Sequence, residues 1–292
     1  MTVAGAQVRQ LDRATIQRWL PLLDEWLLPG AFYGVQHTWP QLYRSDGEGM
    51  FFVLCDDERL LSHCACRIFT VHGDESVFRA CLLGSVVTAP ELRGRGFASQ
   101  VLGAALEATS SLAEHTLLWA ERPGLYARHG FKSGGTEVCL QLVRRPRTTL
   151  ANVRLCEVRD HAILFELHAQ KPWRVERSFR AMSGLLTTPG MTTLVLEREG
   201  VVVAYACCGK GSDLQGHWHE VGGRDEHVAE LLPAAMHVVD QIEAFLLLPP
   251  YRPQLRGLLQ RNVAGEFAMP GPMAHSPRGP LPSIWIDGLD SV

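Results

Sequence analysis

No apolar run in this sequence is long enough to cross a bilayer as a helix, because charges or prolines interrupt every one. Met1 to Gln10 lacks the basic-then-apolar order of a secretion signal, so a cytoplasmic location is expected. No two cysteines form a CxxC pair, which removes the usual signature of a zinc knuckle or a dithiol redox centre. The eight cysteines are Cys55, Cys64, Cys66, Cys81, Cys139, Cys156, Cys207 and Cys208; most fall in apolar, strand-like stretches and are expected as buried, reduced thiols. Positive charge is not in excess: 28 Lys and Arg against 31 Asp and Glu leave a formal charge of −3, without the basic face of a nucleic-acid binder. The local run Arg144, Arg145 and Arg147 reads as a solvated linker. Lysine is scarce beside arginine, which points to a GC-rich bacterial genome and carries no chemistry.

Core-forming residues are plentiful. Of the 292 residues, 46% are hydrophobic and 20% charged, the balance of a globular chain of about two domains. Ile16, Leu20, Leu23 and Leu27 share one helical stripe within Asp12 to Leu28. Met50 to Cys55, Leu60 to Val71 and Val77 to Ala89 follow as strands, joined at Asp56-Asp57-Glu58 and His72-Gly73-Asp74-Glu75, which predicts an antiparallel meander. Phe97, Val101, Ala104, Ala105 and Ala108 give the next segment a helical face. Leu117 to Ala120 is a short strand, Gly124 to His129 a helix stopped by Gly130, and Glu137 to Val143 a strand.

Pro146 marks a joint, beyond which a similar order recurs. Strand Val153 to Val158 leads to helices Asp160 to Ala169 and Val175 to Leu186. A hairpin follows, Thr192 to Glu197 with Val201 to Cys208, then strand His217 to Val221 and helix Val228 to Ile242. Strand Ala244 to Leu248, helix Pro253 to Asn262 and strand Ile284 to Ile286 complete the order, with Met269 to Pro282 as a loop. The recurrence lies in element order rather than in identity and suggests an internal duplication, with one domain over 1–146 and a second over 147–292.

The segment most suggestive of chemistry is SVVTAPELRGRGFA, Ser85 to Ala98: strand, proline, loop, helix. A pyrophosphate needs several backbone N–H donors converging where no side chain intrudes. Gly94 and Gly96 permit that approach, the helix opened by Phe97 and Ala98 adds its positive end, and Arg93 and Arg95 offer charge-assisted donors. A surface turn rich in Arg and Gly is the competing reading. Downstream, after a strand, stands LYARHGF, Leu125 to Phe131. In this order and context the two segments resemble the diagnostic motifs of the GCN5-related N-acetyltransferase (GNAT) superfamily. Arg93, Gly96 and Ala98 match the fixed positions of R/Q-x-x-G-x-G/A, and Tyr126, Gly130 and Phe131 match the second motif.

The resemblance covers residues 10–144. It implies an α/β (α+β) fold of two tandem GNAT-like domains, each a mixed, mostly antiparallel sheet flanked by helices, with acetyl-CoA as co-substrate and no metal. It places Val86, Val87 and Thr88 beside the pantetheine arm, one of them supplying a backbone donor for the oxyanion. Tyr126 would protonate the departing thiolate, although a tyrosine tethering the short helix is the plain alternative. The departure from the family lies in the base: Val77 to Ala89 holds no carboxylate. Glu121 is the leading substitute, directly or through water, with a carboxylate at a helix start as its plain reading. His129 and the terminal carboxylate of Val292 are further candidates, the latter from relatives resembling enhanced-intracellular-survival acetyltransferases.

The second half reads as a degenerate copy. Gly222-Gly223-Arg224-Asp225-Glu226 does not match the phosphate loop, and its acids would repel an anion. Glu220 stands at the family's base position but is expected to be structural. His217 and His219 face one side of a strand and are expected as a solvated or packed pair. The function implied is transfer of acetyl from acetyl-CoA to a primary amine of a small molecule or peptide by direct attack. The acceptor pocket would be walled by Phe32 to Tyr43 and the second domain, with no membrane or nucleic-acid partner and a homodimer possible. A non-catalytic acyl-CoA sensor or assembly protein and a transferase for longer acyl chains are the alternatives.

Overall fold

Two sheets share the strands of the computed structural model, which describes residues 5–56, 59–73, 76–146, 152–211 and 213–291. The turn residues Asp57, Glu58, Asp74 and Glu75 and the linker residue Arg147 lie outside that range. The first sheet begins with β1 (Gln7–Leu11), β2 (Met50–Cys55), β3 (Leu60–His72) and β4 (Val77–Thr88), each antiparallel to the next. The expected meander is present. β5 (His115–Leu118) then pairs parallel with β4.

Helix Phe97–Thr109 buries Phe97, Val101, Leu102 and Ala105 on one face of this sheet, against Phe52, Leu54, Cys64, Cys66, Cys81 and Leu83. The opposite face carries Phe51, Val53, Ala65 and Val87 under Leu20, Leu23, Val35, Leu42 and Tyr43. The single helix expected over Asp12 to Leu28 is instead a short helix, a 3-10 turn and the helix Leu20–Leu27. Pro21 sits in the first turn of that last helix, where a residue without an N–H is tolerated.

The remaining strands are β6 (Lys132–Ser133), β7 (Thr136–Val143), β8 (Val153–Leu155), β9 (Arg174–Val175), β10 (Thr192–Arg198), β11 (Val201–Cys208), β12 (His217–Gly223), β13 (Glu243–Leu248), β14 (Val263–Pro270) and β15 (Met273–His275). The second sheet runs β14-β7-β13-β12-β11-β10-β8, and the first is completed as β4-β5-β15-β6. The two halves thus exchange a strand. β7, which precedes the joint, lies between β13 and β14, and β15, from the end of the chain, lies between β5 and β6. A division at residue 146 separates the sequence but not the sheets.

Local chemistry explains the other departures. Met269 to Pro282 is not all loop: it supplies the end of β14 and all of β15. Ile284 to Ile286 enters no ladder, although Ile286 is buried beside Phe69, Val71 and Leu117. Where one helix was expected over Val175 to Leu186, Val175 pairs with Val71 on β3 and the helix begins only at Phe179. Ser178 caps it by accepting from the Ala181 amide, and Arg177 is drawn into the interior. The eight cysteines are free, and all but Cys156 are buried.

Candidate functional site

β4 and β5 are paired only over Ala80–His115, Cys81–Thr116 and Leu82–Leu117. Beyond those positions they part, so among the described residues the second half of β4 has a strand neighbour on one side only, β3. That half also carries a bulge. The register with β3 jumps from His63–Val87 to Ala65–Gly84, and Ser85 takes a left-handed φ of 52°. Side chains of β3 hold the bulge: Ser62 Oγ donates to the Val87 carbonyl (3.0 Å), and His63 Nδ1 lies 2.8 Å from the Ser85 carbonyl. Burial pushes the His63 imidazole down to about 4, so it stays neutral and donates there. Val86, Val87 and Thr88 therefore stand on an anchored, half-unpaired backbone facing a gap.

At the end of β4 the chain turns through Pro90 into the arginine–glycine loop. Gly94 and Gly96 have φ of 79° and 78°, which a side chain would strain, and a Cβ built on either would meet no atom within 4 Å. The loop surface is thus backbone, open to whatever approaches. Gly96 is the N-cap of helix Phe97–Thr109, whose first-turn amides have no intrahelical acceptor. Arg93 Nε reaches back to the Thr88 carbonyl (3.3 Å), tying loop to strand, while Arg95 is exposed. Phe97 is buried and anchors the helix start; Ala98 beside it is small.

Tyr126 lies on the helix Pro123–Ala127, its ring edge-on to Phe131 at 6.0 Å. Burial pushes its phenol up to about 12, with Cys64 and Glu121 adding to the shift. Tyr126 packs, with Phe131, against the core cluster of the helix Phe97–Thr109, on that helix's face of the sheet. It is a neutral hydrogen-bond donor at pH 7. Glu121 is exposed. His129 is committed elsewhere, its Nε2 lying 3.1 Å from Ser99 Oγ. Val292 lies outside the described residues; Ser291 before it is held by Lys210, whose ammonium also donates to the carbonyls of Gly288 and Leu289.

The corresponding place in the second sheet is built differently. β12 and β13 pair parallel at His217–Phe245 and Trp218–Leu246 and then part in the same way. The helix that follows, Asp225–Val238, has Asp225 and Glu226 in its first turn, and Arg252 bonds both the Gly223 carbonyl and Asp225. Its positive end is already neutralised by its own side chains. Glu220 accepts from Arg177 (2.9 and 2.8 Å), Lys171 (3.0 Å) and the Tyr205 hydroxyl (2.6 Å); against full burial, Arg177 and Lys171 hold its carboxyl well below the usual range. It is an anchored anion. Arg177 also holds Asp290, which Arg67 of β3 meets at 2.8 Å, and Lys171 holds Asp287 at 2.8 Å. This buried network stitches the chain end to both sheets. His168, Glu220 and Asp287 place ligand-type atoms within 4.8 Å of one another, but the Lys171 ammonium already bonds the two acids. His217 stacks on Phe245, and His219 is wholly buried.

One residue that sequence reasoning passed over is Glu137. It stands near the start of β7, half-buried, beside Trp119 at the C-terminal end of β5. Burial lifts its carboxyl to about 7, and the Trp119 side chain only partly offsets this. No sequence signal marks it, since its surroundings exist only because β7 crosses to the other sheet.

Residues 7–134 match the profile of the acetyltransferase (GNAT) domain family. No match is found among the curated proteins. Among solved structures, the chain is similar to a conserved protein of unknown function from Enterococcus faecalis V583, described as a probable N-acyltransferase. That likeness has a TM-score of 0.70 at 13% identity and covers 92% of this chain and 72% of the other. A GCN5-related N-acetyltransferase from Kribbella flavida gives 0.68 at 16%, covering 94% and 72%. A putative acetyltransferase from Pyrococcus horikoshii gives 0.57 at 12%, covering 95% and 92%. At these identities the likeness is one of fold.

Proposed function

We propose, from the premise that this is a chain of the GNAT superfamily with its acetyltransferase domain over residues 7–134, that it transfers acetyl from acetyl-CoA to a primary amine by direct attack. The observation that carries this reading is the open backbone of Gly94 and Gly96 at a helix start, just beyond the point where β4 leaves β5. A pyrophosphate there meets first-turn amides, the helix dipole and the guanidinium groups of Arg93 and Arg95. The pantetheine arm extends from it along Val86 to Thr88, in place of the missing strand partner. A backbone N–H of that segment receives the charge that develops on the thioester oxygen. Tyr126, neutral at pH 7, gives its proton to the leaving thiolate.

Release of free thiol from acetyl-CoA in the presence of an amine panel tests the reading. Wild type is expected to turn over at least one amine. Tyr126→Phe is expected to lose about 100-fold in kcat with acetyl-CoA binding unchanged. A tyrosine that merely tethers its helix would instead give equal loss in both measurements, or none in either.

A further inference from the structure

A cavity of about 970 Å³ opens where the two halves exchange strands. Its floor is the crossover itself: Gly134, Thr136 and Glu137 entering β7, and Gly271 and Pro272 entering β15. Trp173, Trp285 and Leu248 give it apolar walls, with Pro249, Pro250 and Pro282 beside them. Its size and lining suit a small molecule with an apolar body. A second cavity, about 210 Å³ between Pro40–Glu48 and the helix Phe179–Leu186, is small for a substrate. Its rim charges are also partly used up, Asp46 meeting both Arg44 and Arg180.

The charged side chains that line this cavity of about 970 Å³ are Lys132, Glu137, Arg256 and Glu266, with His275 beside them. Glu266 is paired with Arg256 at 2.7 Å, and Lys132 is exposed on the edge strand β6. His275 has its Nδ1 3.1 Å from the His129 carbonyl. Glu137, unlike Glu266, forms no salt bridge among the described residues. Trp119 joins this carboxyl to the mouth of the β4–β5 gap. By alternation along β5, Leu118 faces the helix Phe97–Thr109, whereas Leu117 and Trp119 face the other side. Tyr126 packs on the first of these faces.

We infer that this cavity holds the acceptor, a primary amine on an apolar, ring-sized body, and that Glu137 is the catalytic group that takes its proton. The inference rests on the acetyl-transfer reading and deepens it. The free amine attacks the thioester carbon, a C–N bond forms and the C–S bond breaks. The thiolate takes the Tyr126 proton from one face of the sheet, and the proton of the attacking nitrogen passes to Glu137 on the other. Both groups then re-equilibrate with solvent. A base titrating near neutrality is suited to that task.

Tryptophan fluorescence titration with 2-phenylethylamine reads the cavity directly, since Trp173 and Trp285 line it. Wild type is expected to bind the probe more tightly above neutrality than below it. Glu137→Gln is expected to weaken binding at least tenfold and flatten that pH dependence, with Glu137→Asp restoring part of both and unfolding midpoints showing all forms folded. Equal binding by wild type and Glu137→Gln, or no binding by wild type, overturns the inference. The Arg93→Ala, Gly96→Glu variant is expected to bind the probe as wild type does. Failure of acetyl-CoA binding in wild type therefore counts against the acetyl-transfer reading separately from this one. With a turned-over amine, Glu137→Gln is expected to lower kcat about 100-fold at pH 7 while the KM for acetyl-CoA stays unchanged.

Discussion

Residues 1–146 expressed alone are expected not to fold. The fragment lacks β15, so β5 loses its antiparallel neighbour at Leu118, Leu117 and Thr116, and β6 loses the strand that attaches it to the sheet. It also carries β7 with no sheet to enter. Leu140 and Leu142 are fully buried and Cys139 nearly so in the native protein, all between β13 and β14. Exposing the two leucines alone forfeits about 3–6 kcal/mol, a large part of a typical stability of about 5–15 kcal/mol. The unpaired edge is also a template for aggregation. Co-expressing 1–146 with 147–292 restores every strand, so the two pieces together are expected to be soluble and to bind acetyl-CoA. A soluble, cooperatively unfolding 1–146 that binds acetyl-CoA alone would show that the exchange is dispensable.

Arg177→Leu is expected to destabilise the protein by about 3–5 kcal/mol in chemical unfolding. Arg177 is wholly interior and bonds both Glu220 and Asp290. Without it, Glu220 keeps Lys171 and the Tyr205 hydroxyl, Asp290 keeps Arg67, and the two buried acids repel one another. The same geometry fixes the response to acid. Glu220 and Asp290 are held below their ordinary values in the folded protein, chiefly by Arg177 against the opposing effect of burial. A depressed folded value contributes stability above the unfolded carboxylate range, near pH 4, and that stability is lost as pH falls through the folded values. Wild type is therefore expected to lose stability steeply below about pH 4, and Arg177→Leu less steeply, from its lower starting point. A loss under about 1 kcal/mol, the range of an exposed pair, would mean that water reaches these groups.

The phosphate loop was legible in the sequence because its requirements are local: glycines where φ must be positive, arginines beside them, a helix start directly after. The antiparallel meander was legible for the same reason, each strand pairing with its neighbour across a short turn. The exchange of β7 and β15 was not. The alternating apolar residues of β7, Val138, Leu140 and Leu142, suit either sheet equally, and β15 is three residues set among prolines and glycines. Asp287 and Asp290 look in sequence like solvated acids near a chain end, yet they are buried against Lys171, Arg177 and Arg67. Glu137 was hidden by the same non-local cause, since its neighbours come from three distant parts of the chain. Glu220 was read as structural, and it accepts from three side chains in the interior.

Isothermal titration of acetyl-CoA into wild type and the Arg93→Ala, Gly96→Glu variant tests the central claim most directly. The variant removes a guanidinium from the loop and sets a carboxylate and a strained φ where Gly96 now leaves open backbone. Wild type is expected to bind at one site per chain, and the variant at least about 100-fold more weakly, a loss of about 2.7 kcal/mol. Equal affinities in the two proteins, or no binding to wild type, would contradict the assignment of the loop as an acetyl-CoA site.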